Sequence, residues 1–288
     1  MTDTKVEKRK IRLIGLDLDG TLLTDRKELT ERTRRTLHAA VDRGMIVLVA
    51  TGRPLTGIPE EIRNFPGMRY ALTSNGAKVM DVREGSVVDE HLLDPGLAEK
   101  ALEICAKYDT LQEVYYDGVS YAPSDKRELI PKYHKNPNMW EYMRKTRIWV
   151  DDVQDMVKKS SRGLDKIQIL FAEMEDRMKA WRELAEVKGL ELVGSLGYNI
   201  EINAAGVNKG TGLVSLGRLL GIRREEIMAF GDGDNDILML KEVGFGVAMA
   251  NAEDGVKKAA DYITLSNEED GVADAIEKFA LGGGERIC

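Results

Sequence analysis

The chain has 288 residues, 43% hydrophobic and 32% charged, an ordinary globular balance with material for one large or two modest domains. Its formal net charge of −7 argues against nucleic-acid and anionic-membrane partners, which need a basic surface. Two cysteines, Cys105 and Cys288, make neither a disulfide framework nor a metal knuckle, and with no apolar leader or membrane-length apolar run the expected location is cytoplasmic.

The basic start, Lys5, Lys8, Arg9 and Lys10, is short, mixed with acids and expected to be a frayed, solvated terminus. Residues 11–16 form an apolar run that reads as a buried strand and ends in Asp17-Leu18-Asp19-Gly20-Thr21. Carboxylates are costly at the exit of such a strand. Asp17 and Asp19 stand one residue apart, so they point to the same side, and Gly20 lets the chain turn sharply. A carboxylate nucleophile with a second carboxylate as general acid and base, beside a cation, fits this pattern. Taken alone, an acidic turn into solvent fits it too.

Residues 30–43 follow as a helix with Leu37, Ala40 and Val41 on one face and Gly44 as its stop. Residues 46–50 are a β-branched strand ending in Thr51-Gly52-Arg53. A hydroxyl followed by a glycine N–H at a strand end makes a small anion cradle, or an ordinary turn. Pro54 suits the first turn of another helix, 70–73 is a strand, and 77–81 with 87–90 reads as a hairpin around Glu84-Gly85-Ser86. The alternation of strand and helix predicts a parallel, doubly wound sheet with right-handed crossovers.

The middle has a different texture. It holds all three tryptophans, Trp140, Trp149 and Trp181, with Tyr115, Tyr116, Tyr121, Tyr133 and Tyr142. Leu97, Ala101, Ile104, Cys105 and Tyr108 mark a helix, and strands 113–116 and 119–122 flank Asp117-Gly118, a strong hairpin signal. Residues 126–138 carry two prolines and little periodicity; 166–172 is a strand, 175–188 a helix, and 190–193 and 199–203 are strands. Hairpins with helices predict an α+β unit with a largely antiparallel sheet. From Lys209 the α/β rhythm returns, with helices at 210–220, 236–243 and 270–279 and strands at 227–230, 246–249 and 262–264, before a loose tail at Gly282-Gly283-Gly284. The expected class is α/β: a doubly wound, Rossmann-like parallel core, residues 1–91 and 198–288, carrying an inserted α+β domain, residues 92–197.

Two later segments carry chemistry. Gly206-Val207-Asn208-Lys209-Gly210 places a lysine at a helix start, a poor position for a cation unless an anion or acid is near. Phe230-Gly231-Asp232-Gly233-Asp234-Asn235-Asp236 crowds acids at a strand end, where like charges repel unless a cation or proton intervenes. A helix-capping cluster would also use Asp and Asn, whereas a calcium loop would need about a dozen residues closing on a Glu. Together the four segments supply what metal-assisted phosphoryl transfer through a carboxylate nucleophile requires.

In order along the chain, Asp17-Leu18-Asp19-Gly20-Thr21, Ala50-Thr51-Gly52-Arg53, Thr73-Ser74-Asn75-Gly76-Ala77, Asn208-Lys209-Gly210 and Gly231-Asp232-Gly233-Asp234-Asn235-Asp236 resemble the haloacid dehalogenase-like phosphatases, and within them the Cof-like sugar phosphatases. Gly246-Val247-Ala248-Met249-Ala250-Asn251-Ala252 resembles that subfamily as well. The resemblance implies that Asp17 attacks phosphorus to form an aspartyl-phosphate, and that Asp19 protonates the leaving oxygen and later deprotonates water. It implies that Thr51, the Gly52 N–H, Lys209 and Asn235 hold the phosphoryl oxygens. Mg²⁺ would be held by Asp17, the Asp19 carbonyl and Asp232, with Asp236 close by as an indirect ligand or a lysine partner. Residues 92–197 would be a cap that closes over the core and reads the leaving group, with Arg53 and Asn75 within reach of substrate and the aromatics either stacking on a sugar or forming the cap's own core. His91 and His134 are expected at the surface. The implied activity is a Mg²⁺-dependent phosphomonoesterase acting on a small phosphorylated substrate, most simply a sugar phosphate, as a monomer or weak homodimer. A phosphomutase of the same fold, a non-catalytic sugar-phosphate sensor and a magnesium-binding structural domain are the alternatives that phosphate release would separate.

Overall fold

The computed structural model describes residues 9–282, so Lys5, Lys8, Gly283, Gly284 and Cys288 lie outside the described residues. The strands in chain order are β1 (Leu13–Leu16), β2 (Ile46–Ala50), β3 (Tyr70–Thr73), β4 (Lys78–Asp81), β5 (Ser86–Glu90), β6 (Thr110–Tyr116), β7 (Val119–Pro123), β8 (Ile148–Val150), β9 (Lys166–Phe171), β10 (Leu190–Val193), β11 (Asn199–Ala204), β12 (Ile227–Gly231), β13 (Phe245–Ala248) and β14 (Tyr262–Ile263). They build two sheets in two compact units, one formed by the chain through Asp89 and again from Asn208, the other by Glu90–Val207.

In the first unit the strand order is β14-β13-β12-β1-β2-β3-β4-β5. Pairing is parallel from β14 to β3 and turns antiparallel at β3–β4. Strands buried on both faces need apolar residues throughout, and β1 (LIGL), β2 (IVLVA) and β12 (IMAFG) supply them. Alternate residues feed two cores. Ile14, Leu16, Val47, Val49, Met228 and Phe230 pack with helices Glu31–Asp42 and Gly271–Phe279. Leu13, Leu48, Ala50, Ile227 and Ala229 pack on the opposite side with helices Lys209–Leu219 and Ile237–Glu242. The sheet is therefore doubly wound, with β1 at its centre. Arg9 is not frayed: its N–H donates to Phe279 O (3.2 Å) and its guanidinium lies 4.1 Å from the Phe245 ring centroid. The helix expected at Pro54 is only a single turn, Leu55–Gly57, because a second proline, Pro59, interrupts it before helix Glu60–Arg63.

In the second unit the order is β10-β11-β9-β6-β7-β8, antiparallel except for β7–β8. Helices Pro95–Cys105, Val153–Lys159 and Met174–Ala185 cover one face through Ala101, Leu102, Cys105, Val157, Ala180 and Leu184. The boundary differs from the expected 198: β11 pairs with β9 and β10, and its Ile200 and Ile202 complete this unit's core, so the chain returns to the first unit at Asn208. The tryptophans serve this unit's own packing, Trp140 and Trp149 against one cluster and Trp181 against the other. His134 is buried, contrary to expectation, edge-on to Tyr198, and burial lowers its pKa. Short elements escaped the sequence reading: helices Trp140–Thr146, Val153–Lys159 and Asp254–Ala259 and strand β8. Each is too brief to establish a period. No helix among the described residues is long and apolar enough to cross a membrane.

Candidate active site

Because β2 and β12 flank β1 in parallel, Asp17, Thr51 and Asp232 leave the sheet along one edge, beyond the carboxyl ends of adjacent strands. Asp17 is buried, and its N–H donates to Phe230 O (3.1 Å), extending the ladder by one residue. Gly20 has φ +83°, and a Cβ there would lie 2.3 Å from Asp232 Oδ2, so only glycine lets the loop after β1 pass this close to the acid cluster. Thr21 Oγ1 donates to Asp232 Oδ1 (2.7 Å), joining the two acidic motifs.

Lys209 opens helix Lys209–Leu219 behind the N-cap Asn208, whose side chain accepts from the N–H groups of Gly210 and Thr211. The lysine is wholly buried, and Nζ donates to Asp17 Oδ1 (2.6 Å) and Asp236 Oδ1 (2.7 Å). This resolves the misplaced cation: two carboxylates offset the dipole. The other oxygen of Asp236, Oδ2, accepts from the N–H groups of Asp232 and Gly233, both at 3.0 Å. Both oxygens of Asp236 are thus engaged in shaping the turn and orienting Lys209. Asn235 is carried in the same turn, half-buried.

Thr51 is buried and its Oγ1 accepts the N–H of Arg53 (3.1 Å); its carbonyl accepts from Asn75 N–H (3.1 Å). Ser74 and Asn75 have φ +50° and +59°, a strained pair for non-glycine residues. Gly76 approaches so closely that a Cβ would meet Asn208 O at 2.3 Å, which ties the Thr73–Ala77 motif to the start of the lysine helix. Asp19 is more open. Arg53 Nη2 lies 2.8 Å from its Oδ1 and 2.7 Å from its Oδ2, and Lys27 Nζ lies 2.7 Å from Oδ1.

The two motif acids differ in their electrostatics. Burial pushes Asp17 upward, and the neighbouring Asp236 and Asp232 add to this against the pull of Lys209. Burial also raises Asp232 to about 6, opposed by the Thr21 hydroxyl. Lys209 resists the downward effect of burial and is held above its ordinary value by Asp17 and Asp236. Burial would raise Asp19 too, but Arg53 and Lys27 prevail and hold it low. Asp17, Asp232 and Asp236 each offer a carboxylate oxygen within 4.8 Å of the others. Three acids against one ammonium is a site with unspent negative charge, and hard oxygen donors of this kind suit a divalent cation.

Sequence reasoning named Asp17, Asp19, Thr51, Gly52, Lys209, Asn235, Asp232 and Asp236, and all belong to the strand-end and helix-start segments of this unit. It did not give Thr21 a role, although the hydroxyl stood inside the first motif, and it passed over Lys27, which no spacing distinguishes.

Residues 14–276 match the haloacid dehalogenase-like hydrolase family. A 5-amino-6-(5-phospho-D-ribitylamino)uracil phosphatase of Bacillus subtilis, YcsE, is 32% identical over 258 residues, which cover 88% of this chain and 90% of that protein. A second B. subtilis protein of the same description, YitU, is 33% identical over 261 residues, covering 88% of this chain and 91% of its own. Among solved structures, a haloacid dehalogenase-like hydrolase from B. subtilis aligns with a TM-score of 0.81 at 28% identity, over 93% of this chain and 99% of that one.

Proposed function

The chain belongs to the haloacid dehalogenase-like hydrolases and is a phosphatase, and from that premise we propose that it hydrolyses small phosphomonoesters, sugar phosphates above all, with Mg²⁺ and through an aspartyl-phosphate on Asp17. The observation that carries this reading is the ion cluster of Lys209 between Asp17 and Asp236, with Asp232 alongside and Asp19 held apart by its own cations. Asp17 would attack phosphorus while Asp19 gives a proton to the departing oxygen and later takes one from water. Thr51, the Gly52 N–H, Lys209 and Asn235 would bind the phosphoryl oxygens. Asp17, Asp232 and the Asp19 carbonyl would hold Mg²⁺, with Asp236 serving as counter-ion to Lys209. The cation would offset the repulsion between a phosphate dianion and the carboxylates. The ribityl phosphate in the names of the two relatives supports a phosphorylated sugar or sugar alcohol, and the second unit is assigned the selection of leaving group.

The test is phosphate release across phosphorylated sugars, nucleotides and small acids, with Mg²⁺, with EDTA and with Asp17→Asn. Metal-dependent release that disappears in the variant is expected. Release that survives Asp17→Asn in a folded protein would remove the covalent mechanism.

A further inference from the structure

Lys27 lies outside every motif described above, yet its backbone is strained, with φ +65°. Among the described residues five non-glycine residues have positive φ, and Lys27 is the lysine among them. The turn that imposes this is closed on itself. Lys27 N–H donates to Thr24 O (2.8 Å), Thr24 N–H to Glu28 O (3.0 Å), and Glu28 N–H to Thr24 Oγ1 (3.2 Å). It is also pinned from outside: Asp25 N–H donates to Glu268 Oε1 (2.7 Å), and Asn267 Nδ2 donates to Leu23 O (3.1 Å) and Asp25 Oδ1 (3.2 Å). The result is that Lys27 Nζ reaches back to Asp19 Oδ1 at 2.7 Å.

Folding energy does not account for this. With the lysine side chain 53% exposed, the ion pair adds little stability, and a left-handed backbone at a non-glycine residue costs about as much. The pair does act on the orientation of Asp19. Arg53, itself anchored by Nη1 to Gly57 O (2.9 Å), meets both Asp19 oxygens through the single nitrogen Nη2. One nitrogen fixes the position of a carboxylate but lets it rotate; the ammonium on Oδ1 removes that rotation.

Resting on the acid–base mechanism above, we propose that Lys27 is a positioning residue that sets the angle from which Asp19 serves the leaving-group oxygen. In the step concerned Asp19 has first taken a proton from solvent; the ester P–O bond breaks, the phosphoryl group passes to Asp17, and that proton passes from Asp19 to the departing oxygen. Lys27 gives up no proton and touches no reacting atom. A general acid works only when aligned within hydrogen-bond reach, so loss of Lys27 should matter most where the leaving group needs that proton.

The experiment compares Lys27→Met, Lys27→Gly and Lys27→Arg with the wild-type chain on an alkyl sugar phosphate and on p-nitrophenyl phosphate, whose phenolate departs unprotonated. In the Met and Gly variants kcat/KM on the alkyl ester, which reports the transfer step and not the later attack of water, should fall about tenfold or more at each variant's own pH optimum, while kcat/KM on the aryl ester falls by less than about threefold. Lys27→Arg should recover part of the loss. Lys27→Gly should melt no lower than wild type, since glycine adopts this φ freely. Equal losses on both esters, no loss on either, or a loss that tracks a lowered Tm in Lys27→Gly would overturn the proposal alone. Wild type inactive on both esters would overturn the mechanism beneath it as well.

Discussion

Replacing Lys209 by Met keeps the length of the side chain and removes an ammonium that is wholly buried between Asp17 Oδ1 (2.6 Å) and Asp236 Oδ1 (2.7 Å). At an effective dielectric of about 20, each such contact is worth roughly 6 kcal/mol before desolvation is counted. Burying the ammonium costs most of that back, and deleting one partner of a buried pair leaves a net loss of about 3–5 kcal/mol. For a chain of this size the loss is on the order of 10 °C in Tm. It should depend on pH with a definite sign. Asp17 and Asp232 are held above ordinary carboxyl values, the latter at about 6, so the folded state keeps protons that the unfolded chain has already lost. Stability from these groups therefore falls as pH rises from about 4 through their folded values. Without Lys209 those values climb further, and the decline extends to higher pH. The gap between variant and wild type should be small at about pH 5 and wide at about pH 8, and Mg²⁺ should narrow it by supplying the missing charge. Thermal unfolding followed by circular dichroism, in EDTA and then with Mg²⁺, reads all of this. Equal Tm values at the higher pH in EDTA would refute the argument that Lys209 neutralises the cluster.

Three further outcomes follow from the same geometry. Gly20→Ala places a Cβ 2.3 Å from Asp232 Oδ2 at φ +83°; beyond about 1 kcal/mol of backbone strain, Mg²⁺-dependent phosphate release should drop by at least about tenfold. Thr21→Val takes the hydroxyl from Asp232 Oδ1, so Asp232 should bind its proton more tightly and the Mg²⁺ concentration for half-maximal activity should rise about tenfold, more at low pH than at high. In the second unit, Glu113 accepts from Arg147 Nε (3.0 Å) and Nη2 (3.1 Å) and from Tyr115 Oη (2.9 Å); Glu113 and Tyr115 are buried and the Arg147 side chain is 9% exposed. Glu113→Leu should lower urea stability by about 3 kcal/mol, and adding Arg147→Met should recover much of it, because the stranded guanidinium rather than the lost pair sets the cost.

The core and its motifs were legible from the sequence because local rules suffice for them. Apolar strands that exit into carboxylates, hydroxyls and glycines mark the functional edge of a parallel sheet, and a lysine at a helix start asks for acids before any are seen. The return point at Asn208 was not legible. Residues 199–203 read as a strand in either unit, and only pairing with β9 and β10 assigns them. The burial of His134 was equally hidden, since it depends on Tyr198 from a distant stretch of chain.

The sequence by itself determined the chemistry on offer: two acids after β1, a hydroxyl after β2, a lysine and an acid cluster near the end, in an order that fits one phosphatase family. Tertiary structure alone decided how those groups are shared out. It gave Asp236 to Lys209 and two backbone N–H groups, set Thr21 on Asp232, and turned a strained Lys27 onto Asp19. These contacts join residues from 3 to 211 positions apart, and charge interactions depend on distance in space and burial, neither of which a one-dimensional pattern contains.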